Sequence, residues 1–439
     1  MKVAEHFLRN AIFYELYVDK FAGNFRALTE RLPYLAELGV THVHLLPHYP
    51  SPMIDGGYDV SDYLGVRLEL GTLDDFDRFA AHATELGISI MVDLVFNHTS
   101  TRHPWFEESF QNPQSPKRNY YLWSSNGTEL ADSTVCFPEI KAKNWIFHEN
   151  RKEYHFSTFC PEQADLNWDN PAVFEEFCRI MDFWVARGVR LFRLDAASHI
   201  IKREGTPSRN LPETHAVLRK IRAYVDAHYP EVKLVAEVHD PIERMREYFG
   251  NGDECHLVYH FPLAEALIAE MALGEKGIAE QYIWELSDTP RGSSWLLFLR
   301  NHDDISLVTL ASDHRRRFLR VVDPESHVRF GDGVALRLAT VCERSLAHDT
   351  SDTQQREHGE RECFQNILEE LFSLPAPIVL YYGDELGMKN MPLAAGVRDI
   401  RVCVRNTFDW NEAERQKNDP DSTLSFIKKI AAARKKRME

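Results

Sequence analysis

The sequence lacks closely spaced cysteines, an apolar leader and any long apolar run. Its seven cysteines are scattered, and no two have the spacing of zinc ribbons or thioredoxin-type redox sites. An odd, scattered set of this kind is typical of reduced thiols, so we expect a cytoplasmic protein. The N-terminal segment, MKVAEHFLRN, contains no apolar core of a secretion signal. No run of about 18 apolar residues occurs, so we expect no membrane span.

Basic charge is also scarce. The 51 lysines and arginines are outnumbered by 67 aspartates and glutamates, which gives a formal net charge of −16. A net-acidic surface argues against a nucleic-acid or anionic-membrane binder, because such proteins need basic patches. Hydrophobic residues make up 44% of the 439-residue chain and aromatic residues 11%, which excludes a largely disordered protein and allows a sizeable core.

Short apolar runs alternate with loops and amphipathic helical patterns along the whole chain. Such alternation predicts parallel strands that are joined by crossover helices. The candidate strands are residues 12–18, 40–46, 88–96, 189–195, 233–238, 256–259, 295–299 and 378–382. Eight strand–helix units predict an α/β protein with a closed (β/α)8 TIM barrel.

Two connections between these units are too long to be simple loops. Residues 97–169 follow the third candidate strand, and residues 304 to about 360 follow the seventh. Long connections in compact folds are usually functional, and both leave the C-terminal ends of strands, where such barrels place their active sites. We therefore predict a barrel formed by residues 1–96 and 170–439, with residues 97–169 as an inserted domain.

Local signals mark the ends of several helices. Thr72 and Asp75 have the spacing of a capping box, and Asn170 precedes a proline that suits the first position of a helix. Pro212 is expected to open another helix. The last helix is predicted from about residue 422 to 436, and its basic end suits the negative pole of the helix dipole.

Four candidate strands deliver charged residues to the same rim. Their ends read DLVFNH at 93–98, RLD at 193–195, AEVH at 236–239 and, after the seventh strand, RNHDD at 300–304. One acidic residue after a strand is usually a helix cap or a solvated loop residue. Four strands that bring Asp, Glu, Arg and His to one rim indicate an active site.

Several carboxylates at one barrel mouth indicate glycoside chemistry. A retaining glycosidase needs an ionised carboxylate as nucleophile and a protonated carboxyl as acid/base, with their pKa values pushed apart. Arg193 and Asp195 lie on the same face of a strand, so the guanidinium is expected to keep Asp195 ionised. Glu237 has no cation next to it in the sequence, which leaves it free to hold the proton.

The four segments resemble the conserved regions of the α-amylase family of glycoside hydrolases, and QADLN at 163–167 resembles the fifth region of its oligo-glucosidase branch. The resemblance covers almost the whole chain. It implies a small-molecule sugar substrate, with Asp195 as nucleophile, Glu237 as acid/base and Asp303 as the third carboxylate. It also implies that His98 and His302 form hydrogen bonds to the glucosyl ring and that Arg193 supports the nucleophile.

Further stretches resemble amylosucrase and sucrose hydrolase within this family. They are YVDKFAG at 17–23, DGGY at 55–58, NLPETH at 210–215, GDEC at 252–255 and RNHDDI at 300–305. The resemblance implies that Asp55 pairs with Arg405 and seals the donor pocket behind one glucosyl unit, while Tyr58 offers a flat face to the sugar. Such a blind pocket selects short substrates and acts at their ends.

The chain also departs from that branch. It starts almost at the first strand and ends in the eighth helix. We therefore expect the N-terminal helical region of amylosucrase and the usual C-terminal β-sandwich to be missing. Truncation of the chain is an open alternative. The loop after Tyr17 lacks an alternating-aspartate calcium loop, and we expect no metal and no cofactor. The oligomeric state is not predicted.

The resemblance favours hydrolysis of small α-glucosides such as sucrose, maltose or malto-oligosaccharides through a covalent glucosyl-enzyme. An amylosucrase-like transglucosylase, a sucrose phosphorylase and a trehalose synthase-like isomerase are the alternatives, because the sequence does not decide which acceptor receives the glucosyl unit. A non-catalytic sugar-binding barrel is the most distant alternative, since all three carboxylates are present.

Overall fold

The structure, a computed structural model, describes residues 9–347, 353–394 and 396–438. Eight parallel strands form one sheet: β1 (Ile12–Leu16), β2 (His42–Leu45), β3 (Ser89–Leu94), β4 (Val189–Leu194), β5 (Lys233–Ala236), β6 (Leu257–Tyr259), β7 (Ser294–Leu296) and β8 (Ile378–Tyr381). Their spatial order is β7-β6-β5-β4-β3-β2-β1-β8, and a parallel bridge between Leu297 and Ile378 joins the two edges. The predicted (β/α)8 barrel is therefore confirmed.

All eight predicted strands are present, but most are shorter than the apolar runs that predicted them. β4 ends at Leu194, one residue before Asp195, and β3 ends at Leu94 although the apolar run continues to residue 96. The backbone leaves the sheet at these points because the following residues turn into the barrel mouth. The side chains that carry the chemistry therefore lie just beyond the strands.

Helices surround the strands, and most of the longer ones bury an apolar face. In Leu73–Glu85, for example, Phe76, Phe79, Ala80 and Ala83 are buried at helical spacing. The helices of eight or more residues are Phe25–Glu37, Leu73–Glu85, Pro104–Gln111, Pro171–Ala186, Pro212–His228, Phe261–Leu273, Ser312–Val322, Leu338–Ser345, Thr353–Ser373, Trp410–Lys417 and Thr423–Met438. Shorter helices are Val18–Phe21, Ile242–Arg246 and Glu280–Trp284.

The predicted helix signals are confirmed. The Thr72 side chain accepts a hydrogen bond from the backbone N–H of Asp75, and the Asp75 carboxylate accepts one from the backbone of Thr72. Asn170 caps the helix that begins at Pro171, and Pro212 is the first residue of its helix. The last helix spans Thr423–Met438 and ends in basic residues, as expected.

The chain between β3 and β4 forms small sheets of its own beside the barrel mouth. Strands His98–Ser100 and Gln163–Asp165 pair antiparallel, so the two ends of this insertion are held together. A second antiparallel sheet contains Trp123–Ser124, Trp145–His148 and Glu153–Phe156. The insertion therefore leaves the barrel and returns to it at the same place.

The chain after β7 forms a second wall of the mouth. Ile305–Ser306, Arg329–Phe330 and Gly333–Val334 make a small antiparallel sheet, and the helices Ser312–Val322 and Leu338–Ser345 flank it. The connection predicted at 304–360 is thus partly helical, and its residues 348–352 lie outside the described part. Among the described residues, the helices are too short or too polar to cross a membrane.

Candidate active site

One buried arginine organises the floor of the mouth. Arg193 lies on β4, and its Nη1 atom is 3.0 Å from Oδ1 of Asp195 and also contacts Asp93. Its Nη2 atom is 2.8 Å from Oε1 of Glu237. A single guanidinium therefore binds the two carboxylates that the sequence analysis selected as nucleophile and acid/base, and it holds them side by side.

The register of the barrel explains this arrangement. Arg193 lies opposite Asp93 of β3 and opposite Val235 of β5. Two residues farther along their strands, Asp195 and Glu237 face the same mouth. The prediction that Glu237 has no adjacent cation is wrong, because the sequence argument considered only neighbours along the strand and not those on the next strand.

The carboxyl pair has unequal surroundings. Burial raises the pKa of Asp195, and the nearby Glu237 carboxylate raises it further, whereas Arg193 lowers it. Glu237 Oε2 accepts a hydrogen bond from the backbone N–H of Ala196 at 3.1 Å. Arg193 alone does not outweigh burial and the second carboxylate, so the expectation that the guanidinium keeps Asp195 ionised is wrong.

Asp303, the third carboxylate, is surrounded by cations. Its Oδ2 is 3.1 Å from Nε2 of His302, and its Oδ1 is 2.9 Å from nitrogens of both Arg401 and Arg405. Burial alone would raise the pKa of Asp303, but His302 and the two arginines hold it well below its usual range. Asp303 is therefore ionised at neutral pH.

The donor end of the mouth is closed by Arg401. Its Nη2 atom is 2.6 Å from Oδ1 of Asp55, and Gln163 donates a hydrogen bond of 3.0 Å to the other oxygen of Asp55. The predicted pair of Asp55 and Arg405 is wrong. Arg405 instead donates to the backbone oxygen of His302 at 2.9 Å. The two arginines are four residues apart on one short turn, so the sequence alone did not distinguish them.

Tyr58 and two histidines complete the wall. The Tyr58 hydroxyl lies 2.8 Å from Nε2 of His302, and the two rings stack at an angle of 11°. The ring of His98 contacts the backbone oxygen of Tyr58 at 3.2 Å. Of the nine predicted site residues, six line the pocket: Asp55, Tyr58, His98, Asp195, Glu237 and Asp303. The other three, Arg193, His302 and Arg405, lie directly behind them.

Sequence analysis missed a layer of buried charges beneath the pocket. Glu15 on β1 accepts hydrogen bonds of 2.9 Å from the backbone and from Nδ1 of His302. His44 on β2 lies between Glu15, at 3.2 Å, and Asp93, at 3.0 Å. The signal was present, since an acid inside the otherwise apolar IFYEL of β1 has no packing role.

This layer controls the protonation of His302. Burial opposes the charged imidazole, yet the carboxylates of Asp303 and Glu15 raise the pKa of His302 to about 9. His302 therefore donates from both ring nitrogens at neutral pH. It links the third carboxylate at the pocket wall to the charges in the barrel centre.

Two aromatic side chains meet across the mouth of the pocket. Phe137 of the insertion and Phe330 of the second wall lie 5.4 Å apart, and Arg401 packs against both rings. Beside them, the backbone N–H of Gly331 donates to Oε1 of Glu139 at 3.1 Å. These contacts join the insertion to the second wall above the carboxylates. Sequence analysis did not select these residues.

A lysine ties the base of the insertion to the barrel. Lys202 is buried, and its Nζ is 2.8 Å from Oδ1 of Asn97 and 2.6 Å from Oδ2 of Asp165. Within the described ranges, His, Cys, Asp and Glu side chains form no group of three that could hold a metal ion. The cation that holds the insertion to the barrel here is the ammonium group of Lys202.

Comparisons with known proteins agree with the geometry. A family model described as the alpha amylase catalytic domain matches residues 10–324. The trehalose synthase/amylase TreS of Mycobacterium tuberculosis is 36% identical over 415 residues, which are 92% of this chain and 66% of that protein. Trehalose-6-phosphate hydrolase of Escherichia coli is 40% identical over 204 residues, 45% of this chain and 37% of that protein.

A solved structure supports the fold over the whole length. Isomaltulose synthase from Klebsiella sp. LX3 superposes with a TM-score of 0.74 at 23% identity, covering 97% of this chain and 84% of its own. The family match spans most of the chain, and it coincides with the strands that carry the candidate site. The protein is therefore a member of the α-amylase family.

Proposed function

We propose that the protein is a retaining enzyme that transfers a glucosyl unit from small α-glucosides through a covalent intermediate. One observation carries the proposal: Arg193 binds Asp195 and Glu237 with its two terminal nitrogens, at 3.0 and 2.8 Å. This contact holds two carboxyls close together at the pocket floor, which suits direct attack by one of them on the sugar.

In the first step, the Asp195 carboxylate attacks the anomeric carbon while Glu237, as the acid, gives a proton to the departing glycosidic oxygen. The bond to the leaving group breaks as the ester bond to Asp195 forms. In the second step, Glu237 takes a proton from the acceptor hydroxyl, which displaces Asp195. Asp303 and its cations bind sugar hydroxyls and support the charged transition state. The configuration at the anomeric carbon is retained.

The donor end supports action on one terminal glucosyl unit. Arg401 joins Asp55 to Asp303 across the end of the pocket, at 2.6 and 2.9 Å. A longer glucan chain would have to break both ion pairs to extend past this point. The substrates that fit are disaccharides and the non-reducing ends of short oligosaccharides.

The acceptor side favours intramolecular transfer over hydrolysis. The contact of Phe137 with Phe330 and the bond of Glu139 to Gly331 cover the place where the leaving sugar would sit. A covered sugar stays beside the intermediate and can attack it again through another hydroxyl. Similarity to trehalose synthases points the same way, so we rank isomerisation of an α-linked disaccharide above hydrolysis, reversing the order that the sequence predicted.

The test is a product analysis with maltose, trehalose and sucrose as separate substrates. We expect one substrate to give an isomeric disaccharide in excess of free glucose, with little incorporation of labelled glucose from solution. Asp195→Asn and Glu237→Gln should abolish both products, while Asp313→Asn, an exposed carboxylate, should leave them unchanged. Free monosaccharides alone would establish a hydrolase, and a sugar phosphate formed only with inorganic phosphate would establish a phosphorylase.

A further inference from the structure

Two cysteines meet in the second wall, away from the carboxylates. Cys342 lies on the helix Leu338–Ser345 and Cys363 on the following helix Thr353–Ser373. Their Sγ atoms are 2.9 Å apart, close enough for a hydrogen bond between the thiols. Cys342 Sγ also lies 3.4 Å from Sδ of Met271. The two helices are thus joined by a contact between sulfur atoms.

The two thiols differ in access and in acidity. Cys342 is fully buried, whereas Cys363 is partly exposed to solvent. The contact with the Cys342 thiol lowers the pKa of Cys363, although burial and Glu360 oppose this effect. Cys363 is therefore the thiol that a reagent can reach as a thiolate, and Cys342 is its neighbour on the inner side.

We propose that Cys342 and Cys363 are an oxidisable pair that closes to an intramolecular disulfide when a small disulfide such as oxidised glutathione is present. The Cys363 thiolate attacks one sulfur of the reagent and releases one thiolate, which leaves a mixed disulfide on Cys363. Cys342 then loses its proton and attacks Cys363 Sγ, which releases the second thiolate. The pair loses two electrons, and the reagent gains them.

The cross-link would act on the wall of the pocket. Arg337, directly before the first helix, donates to the backbone oxygen of Tyr382 at 2.8 Å and to the side chain of Asn406 at 2.8 Å. Tyr382 directly follows β8, and Asn406 directly follows the turn that carries Arg401 and Arg405. Joining the two helices removes conformations from the unfolded chain, so the oxidised protein should unfold at a higher temperature than the reduced one.

The experiment uses the full-length native protein with oxidised glutathione. Intact mass should fall by two hydrogens, and a peptide map under non-reducing conditions should join the peptides of Cys342 and Cys363. The melting temperature should rise and return after reduction. Cys178→Ser, a control at a separate buried cysteine, should still show both effects.

Single replacements separate the roles of the two thiols. Cys342→Ser should leave a stable glutathione adduct on Cys363, whereas Cys363→Ser should give neither adduct nor cross-link. If the wild-type protein keeps a glutathione adduct, forms a bridge through another cysteine or stays fully reduced, the proposal is wrong. Because the peptide map is read on the wild type, this result does not depend on the folding of a variant.

Discussion

Arg193 is the residue on which the active site depends most. Its planar fork binds Asp195 and Glu237 with separate nitrogens, which the single ammonium of lysine cannot reproduce. We expect Arg193→Lys to lower kcat by roughly a hundredfold or more while the protein stays folded. Arg190→Lys on the same strand is the matched control, because Arg190 donates hydrogen bonds to the backbone oxygens of Val185 and Val189 and belongs to no predicted site. Equal activity of the two variants would contradict the bridging role.

The roles of the two carboxyls can be told apart by stereochemistry. With an aryl α-glucoside and azide, Glu237→Ala should still form the ester on Asp195, and azide should displace it to give the α-glucosyl azide. In Asp195→Ala, azide should take the place of the missing carboxylate and give the β-glucosyl azide. NMR of the products reads the configuration. The opposite pairing of variant and product would exchange the two assignments.

His302 predicts a pH dependence of stability. Its pKa is about 9 in the folded protein and roughly 6.5 in the unfolded chain, so the folded state binds more protons between these values. This contribution is fully present below the unfolded pKa and is lost as the pH rises through the folded pKa. The free energy of unfolding should fall by up to about 1.4 kcal/mol per pH unit in this window.

Denaturant unfolding of His302→Gln checks this prediction. The variant should lose the His302 part of the decline between about pH 6.5 and 9, while His228→Gln, at an exposed position, should keep it. Parallel curves for the wild type and His302→Gln would show that the imidazole is not protonated in the fold.

At the residue scale, the sequence predicted which side chains lie at the site better than it predicted their ion-pair and hydrogen-bond partners. Residues at strand ends were predictable because the C-terminal ends of barrel strands share one rim. The Arg193–Glu237 contact and the choice of Arg401 over Arg405 for Asp55 depend on cross-strand register and on the course of one turn. Neither follows from spacing along the chain.

At the scale of the elements, a buried ion pair holds the base of the insertion to the barrel. Lys202 binds Asp165 at 2.6 Å in a buried position. Lys202→Met would leave the carboxylate of Asp165 without its cation, and we expect a loss of roughly 3–5 kcal/mol in the free energy of unfolding. Lys152→Met, at an exposed lysine of the same insertion, should cost far less. Equal effects in urea unfolding would exclude the proposed anchoring.

The barrel elements were predictable and those of the two walls were not. Short apolar runs that alternate with amphipathic helical patterns predict parallel strands. The strands of the walls are two to four residues long, and some pair with partners far away in the sequence, as His98–Ser100 does with Gln163–Asp165. Such short segments carry too little periodicity to be recognised before the fold is known.

At the scale of the whole molecule, the two walls meet across the mouth of the pocket, and we proposed that they cover the leaving sugar. If this cover retains the leaving sugar, Phe330→Ala should raise the ratio of hydrolysis to isomerisation several-fold, since water gains access to the intermediate. Phe147→Ala removes an exposed aromatic of the insertion and should leave the ratio unchanged. Product ratios measured at equal conversion decide the matter, and an unchanged ratio in Phe330→Ala would argue against the cover.

The buried link from Glu15 to His302 joins positions 287 apart in the chain. Asp195 follows the last strand of the first half of the barrel, whereas Glu237, Asp303, Arg401 and Arg405 come from the second half. Neither half separately expressed would hold a working pocket, even if it folded. A circular permutant with new termini in an outer loop would keep both halves in one chain, and we expect it to preserve the contact of Glu15 with His302.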